Sequence, residues 1–167
     1  MTGGSSFVEG KGEVCAWIRR EFSPEASVLD VGPGRGTWRK LLPEYGMDAV
    51  EIFKPTADAL EGYAAVYNED IRKFHYDWYD LIIFGDVIEH LTPEDALWVL
   101  EFAKPRCRDM VVAVPFLYPQ GEEYGNPYEA HIQDDLTAEI FAERVPGLAV
   151  LHDTGIGYCY YHKGDEA

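Results

Sequence analysis

The 167-residue chain has few cysteines, few basic residues and no long apolar run, and each shortage closes off a class of function. Its three cysteines, Cys15, Cys107 and Cys159, lie far apart, with no CxxC pair and no Cys/His ligand spacing. Disulfide frameworks and structural zinc sites both need such spacing, so neither is expected, and a reducing cytoplasm is the expected compartment. No run of about 18 apolar residues is present, which argues against a transmembrane helix. The opening MTGGSSF lacks a basic stretch leading into an apolar core, so no signal peptide is expected. Lys and Arg number 14 against 30 Asp and Glu, for a formal net charge of −16. Nucleic acids are gripped largely by Lys and Arg against phosphate, so no nucleic acid partner is expected. Local basic groups such as Arg35, Arg39 and Lys40 read as helix faces, and the overall field suits cationic or neutral ligands.

What is present is a regular alternation. Residues 1–7 read as a flexible lead-in and 8–167 as one domain, long enough to bury a core. Apolar periodicity predicts helices over Gly10–Phe22, Thr37–Tyr45 (with Thr37 as N-cap), Thr56–Gly62, a stretch from Pro93 to about Ala103, and Leu136–Arg144. Thr92, Pro93 and Asp95 form a capping signature for the fourth of these. Strands are predicted over Ser27–Val31, Asp48–Phe53, Ala64–Asn68, Tyr79–Phe84, Met110–Val114, Leu148–His152 and Gly157–His162. Strands alternating with helices imply a doubly wound, mostly parallel α/β sheet covered on both faces. In such sheets ligands bind beyond the carboxyl ends of the strands. Residues 116–133 form the longest stretch without clear periodicity, and their aromatics argue for an ordered loop.

The stretch Val28–Trp38, VLDVGPGRGTW, carries the most information. A strand empties into a loop whose Gly32, Gly34 and Gly36 let a ligand approach the backbone. A dinucleotide fingerprint wants glycine at its first, third and sixth positions. Those positions hold Gly32, Gly34 and Thr37, and an acid, Asp30, precedes the loop, which together speak against NAD. Asp-x-Gly-x-Gly-x-Gly resembles motif I of the class I S-adenosylmethionine (SAM) methyltransferases. A second segment, Tyr79–Leu97, reads YDLIIFGDVIEHLTPEDAL. Its Gly85-Asp86 pair and Asp86-x-x-Glu89-His90 core resemble motif IV of the small-molecule branch of that family.

The resemblance covers nearly the whole chain from Val28 onward, closely in the first half and only in architecture after Pro115. It implies a seven-stranded Rossmann-like sheet with its last strand antiparallel, and SAM as the cofactor. It implies further that Asp30, Gly32, Pro33, Gly34 and Gly36 hold the methionine part of SAM. Glu51 follows Asp30 by 21 positions, an offset that suits an acid on the second strand binding ribose hydroxyls. Ile52 would lie beside the adenine. Asp70 would accept from the adenine amino group, with the backbone N–H of Ile71 meeting the ring. Gly85 and Asp86 would stand next to the sulfonium.

Methyl transfer from a sulfonium rests mainly on alignment, with a base needed only for acceptors that hold a proton tightly. His131, on the 116–133 loop, and His90 are the candidate bases, and Asp86 the candidate acid beside the reacting centre. Glu129 would orient His131 if the loop turns. Chelation of a divalent metal by Asp86, Glu89 and His90 is the lesser reading, because more oxygen ligands would have to converge; no metal is expected. The expected partner is a small-molecule acceptor, with no membrane involved. A SAM-binding module without turnover is the alternative, to be favoured if no open pocket lies beyond the methyl position.

Overall fold

A computed structural model of the chain describes residues 7–164, so residues 1–6 of the expected lead-in lie outside the described residues. Phe7, the last of that lead-in, is tied down. Its ring stacks on Tyr158 at 4.8 Å and meets Tyr118 edge-on at 5.3 Å.

Seven strands form one sheet: β1 (Val28–Val31), β2 (Met47–Val50), β3 (Ala65–Tyr67), β4 (Tyr79–Gly85), β5 (Cys107–Pro115), β6 (Ala149–Asp153) and β7 (Tyr158–His162). Their order is β3-β2-β1-β4-β5-β7-β6. All pairings are parallel except those of β7, which runs antiparallel to both β5 and β6. This is the mixed seven-stranded sheet with an antiparallel last strand that the sequence implies. The order reverses between β1 and β4, so the crevice expected at a switch point opens there.

Among the described residues five α-helices cover the sheet: α1 (Lys11–Glu21), α2 (Thr37–Leu41), α3 (Lys54–Ala59), α4 (Pro93–Ala103) and α5 (Ala138–Arg144). Side chains alternate along β4. Leu81 and Ile83 pack with Val14, Cys15 and Ile18 of α1 on one face. Ile82 and Phe84 pack with Val99 and Leu100 of α4 on the other. Burial on both sides is why Leu81–Phe84 of β4 and Met110–Val114 of β5 read as unbroken apolar runs. No helix among the described residues is long and apolar enough to cross a membrane.

Several boundaries differ from the sequence reading, each for a local reason. Helix α2 stops at Leu41, not Tyr45, because Pro43 follows and forces Leu42 out of the helical region, to φ −123°. Its cap is Gly36 in the left-handed conformation, so Thr37 is the first helical residue and not the N-cap. Helix α3 starts earlier, at Lys54, with a proline in its first turn, and ends at Leu60 in extended backbone. Strand β5 begins three residues before Met110 because Cys107 already pairs with Tyr79. Thr92 does cap α4, accepting from the Asp95 backbone N–H at 3.2 Å. The Asp95 carboxylate, however, takes Arg72 at 3.0 Å, so the expected capping-box acid serves another partner.

The layering makes a direct prediction. Ile82→Ala, in a fully buried position of β4, will cost about 2–5 kcal/mol of stability. Val150→Ala on the exposed edge strand β6 will change it by less than about 0.5 kcal/mol. Denaturant unfolding of the two variants checks the assignment of interior and edge.

Candidate active site

Strands β1, β2 and β4 deliver their carboxyl ends to one cleft of about 360 Å³, within the range of small-molecule sites. Gly32, Pro33 and Gly34 form its floor, with Gly32 at φ 59° and Gly34 at φ 54°, where L side chains are strained. A Cβ on Gly32 would also meet Val87 Cγ2 at 2.8 Å, so the loop fits against the β4 turn only as glycine. Gly85 is constrained likewise, since a side chain there would run into the Trp38 indole.

Not every predicted residue reaches the wall. Asp30 and Gly36 stand behind the loop. Asp30 is fully buried, with Oδ2 accepting from the Tyr63 hydroxyl at 2.7 Å and Oδ1 left without a partner. Glu51 and Ile52 do line the cleft, and Glu51 Oε1 accepts from the Phe53 N–H at 2.9 Å. Asn68 holds this turn by donating to the carbonyls of Glu51 and Ile52 at 2.8 and 3.0 Å. Asp70 and Ile71 also line it, but the Asp70 carboxylate is already taken. Arg72 holds both its oxygens, at 3.0 and 2.7 Å, and reaches on to Asp95, tying the segment after β3 to the start of α4.

At the end of β4, Asp86 sits at φ 57°, a left-handed conformation that asparagine and aspartate tolerate best. Its Oδ1 accepts from the Tyr158 hydroxyl at 2.5 Å. Lys11 is buried nearby, its ammonium 5.0 Å from the Trp38 ring and 5.6 Å from Tyr158. Burial lowers the Lys11 pKa, and the negative charge of Asp86 opposes that shift.

Beyond Asp86 the chain turns through Ile88–His90, and the 116–133 segment closes over it. The Glu89 carbonyl accepts from the backbone N–H groups of both Ile132 and Gln133, at 2.9 and 3.0 Å. Gln133 Nε2 adds a bond to the Ile88 carbonyl at 2.9 Å. This places the His90 and His131 rings 4.7 Å apart. His90 Nδ1 donates to the Ala130 carbonyl at 3.1 Å, and His131 Nδ1 donates to the Tyr118 carbonyl at 2.6 Å. A carbonyl can only accept, so each imidazole carries a hydrogen on Nδ1 and turns its Nε2 inward. Both Nε2 atoms lie 3.9 Å from Glu89 Oε1, and neither Glu89 oxygen has a hydrogen-bond partner. Glu129, expected to orient His131, is held by Asn126 Nδ2 at 3.1 Å instead. His75, His152 and His162 are not on the cleft wall.

The electrostatics of the cleft are those of acids kept from water. Burial raises Asp30 to about 7 against the opposing Tyr63 hydrogen bond. Burial raises Glu51 to about 7 as well, helped by the charge of Glu129. Glu89 is held well above the usual carboxylate range by burial and then by Asp86. Burial lowers His90 to about 4, which keeps it neutral at physiological pH. Acids on or just behind the wall thus far outnumber the one arginine, Arg72.

Sequence reasoning found both ends of the cleft and missed its packing. Tyr63, Lys11, Trp38, Phe7 and Tyr158 carry no motif, and each reaches the site from a different element. Only the alternation of β7 hints that Tyr158 faces inward. The lesser metal reading named Asp86 with Glu89 and His90; the side chains that converge are Glu89, His90 and His131.

No protein-family model matches the sequence, and no curated protein matches it significantly. Solved structures do match its fold. The mitomycin 7-O-methyltransferase MmcR superposes with a TM-score of 0.63 at 16% identity, over 90% of this chain and 51% of that one. The Burkholderia thailandensis 1,6-didemethyltoxoflavin-N1-methyltransferase, solved with bound 1,6-didemethyltoxoflavin and S-adenosylhomocysteine, matches at TM-score 0.63 and 16% identity, over 90% and 75% of the two chains. The N-terminal domain of EvdMO1, crystallised in the presence of S-adenosylhomocysteine and D-fucose, gives 0.64 at 13%, over 95% and 83%. The chain therefore spans about half the length of the first of these and three quarters or more of the others. What the likeness establishes is the fold, that of the class I Rossmann-like methyltransferases.

The buried acid of β1 leads to a test. The folded-state value of Asp30 lies above its unfolded one, so the folded chain holds a proton that the unfolded chain releases. Its contribution is present below the ordinary 3.8 and is lost as pH rises to about 7. Asp30→Asn, which cannot ionise, will gain on the wild type by more than about 1 kcal/mol across that window and then level off. Urea unfolding of ligand-free protein over a pH series measures this. A difference independent of pH would mean that burial leaves Asp30 at its ordinary value.

Proposed function

We propose that this protein is a methyltransferase that uses SAM to methylate a small-molecule acceptor. The observation that carries the reading is a single cleft joining two chemistries. One end is the strained glycine loop with Glu51, and the other is the polar group Glu89, His90 and His131. A binding module without turnover would have no reason to keep open polar space beyond the Gly85–Asp86 turn.

The residues fit the cofactor. SAM has a sulfonium and an ammonium, and both suit a cleft whose acids outnumber its one arginine. The unpartnered Asp30 Oδ1 is buried behind the cleft wall, so it would favour an ammonium through its field and not by direct contact. Glu51 presents a carboxylate for vicinal ribose hydroxyls, with Val50, Ile52, Ile71 and Leu91 as apolar walls for a planar base. With Asp70 engaged by Arg72, recognition of the adenine edge falls chiefly to the backbone at Ile71.

When bound, SAM supplies an activated methyl group. The protein then has to align an acceptor atom with it, a contribution worth up to ~7–11 kcal/mol in favourable cases. Asp86, locked by the Tyr158 hydroxyl, fixes the backbone on the reacting side. His131, its tautomer set by the Tyr118 carbonyl, offers Nε2 to an acceptor lying under the 116–133 segment. The names of the structural neighbours, which act on a mitomycin and a toxoflavin precursor, support a small-molecule acceptor here.

Calorimetric titration with S-adenosylhomocysteine tests this division of labour. The wild type should bind, and Glu51→Ala should weaken binding roughly tenfold or more by removing a charge-assisted contact. His131→Ala should leave the affinity within about threefold. No binding by the wild type would sink the methyltransferase reading, and loss of binding in His131→Ala would move that loop to the cofactor side.

A further inference from the structure

At the acceptor end of the cleft two ring nitrogens and a carboxyl oxygen converge without a hydrogen bond between them. His90 Nε2 and His131 Nε2 both face Glu89 Oε1 at 3.9 Å, too far for a hydrogen bond. All three atoms lie within 4.8 Å of one another. Both imidazoles have their Nδ1–H groups committed to backbone carbonyls, which leaves Nε2 as the atom each ring turns toward Glu89. Glu89 is 1% exposed, and neither of its oxygens has a partner. Polar atoms that converge in a buried place without bonding to one another call for a partner between them.

We propose that Glu89, His90 and His131 form a binding site for a first-row divalent transition metal ion of the zinc class, through Glu89 Oε1 and the two Nε2 atoms. Two neutral imidazoles and one carboxylate match the ligand preference of zinc and its neighbours. Magnesium and calcium, which demand oxygen ligands, fit poorly. The backbone carbonyls of Ala130 and Tyr118 play the part that outer-shell acceptors play for metal-bound histidines, fixing tautomer and ring plane. Ligands about 2.1 Å from a tetrahedral ion stand roughly 3.4 Å apart, so each 3.9 Å separation shortens by about half an ångström, and a pair at the 4.8 Å limit by about 1.4 Å. The Glu89 backbone is already anchored by Ile132 and Gln133, which keeps two of the ligand-bearing segments together without an ion.

Three protein ligands leave a coordination position open, and all three residues line the cleft. On the methyl-transfer reading, on which this part rests, that position takes a hydroxyl oxygen of the acceptor and favours its ionised form. The hydroxyl proton leaves to solvent. The acceptor oxygen forms its bond to the methyl carbon as the carbon–sulfur bond breaks, with that electron pair staying on sulfur. The acceptor class is then an alcohol or phenol, and His131 acts as a ligand and not as a base.

The test uses the full chain, stripped with a chelator and titrated with zinc chloride by calorimetry, and with cobalt chloride by visible absorption. The expected result is one zinc per chain with micromolar or tighter affinity, and a cobalt d–d spectrum showing nitrogen ligation. Glu89→Gln, His90→Ala and His131→Ala should each weaken binding roughly tenfold or more, while His152→Ala, outside the cleft, should not. Thermal melting verifies that each variant is folded, with His131→Gln standing in where the alanine variant is not. No saturable binding by the wild type, or binding unchanged in the three variants, overturns the proposal. S-adenosylhomocysteine titration of the same stripped sample reads the cofactor site separately, so either conclusion can fail without the other.

Discussion

Everything at the cleft depends on β1 and β4 being parallel neighbours. Val31 lies opposite Phe84, so segments far apart in sequence leave the sheet side by side at the same edge. One leaves as a glycine loop and the other as a glycine–aspartate turn, and the two must share the space above the strand ends. Gly32 makes room for Val87, and Gly85 makes room for Trp38. A larger residue at either point would separate the turns. The two motifs are therefore one structure, and each explains the other's glycine.

Around that junction the protein accumulates buried acid. Asp30, Glu51 and Glu89 come from three different segments, and burial disfavours the charged form of each. Such groups weaken the ligand-free fold, which holds up because the sheet beneath them is apolar on both faces. The same cost favours a cation, since any positive group entering the cleft relieves it. A sulfonium with its ammonium at one end and a metal ion at the other would each answer a separate part of this field. The chain's acidic composition is thus concentrated where it has chemical consequences as well as spread over the surface.

The 116–133 segment shows how an irregular stretch becomes part of a site. It contains only one short helical turn, Pro127–Glu129, yet it is held by backbone bonds to Glu89 and by Gln133. Because Glu89 accepts through its carbonyl, its side chain and the His131 ring are brought face to face. The turn that positions the carboxylate also positions the histidine opposite it.

The positions of strands and helices along the chain and the two motif-bearing turns could be read from the residues alone, because hydrophobic period and glycine position are local properties. Glu51, just past β2, was legible for the same reason, at a fixed offset from Asp30. Asp70 shows where that reading stops: its carboxylate found Arg72 two residues on, and Arg72 found Asp95 on another helix. The hydrogen bonds of Tyr63 to Asp30 and of Tyr158 to Asp86 span 33 and 72 residues, and no periodicity encodes them. By itself, then, the sequence determined the architecture and which edge of the sheet would hold the site. Only the tertiary structure decided which side chains meet there, because contacts across a sheet edge depend on how separate loops pack and not on any one segment's pattern.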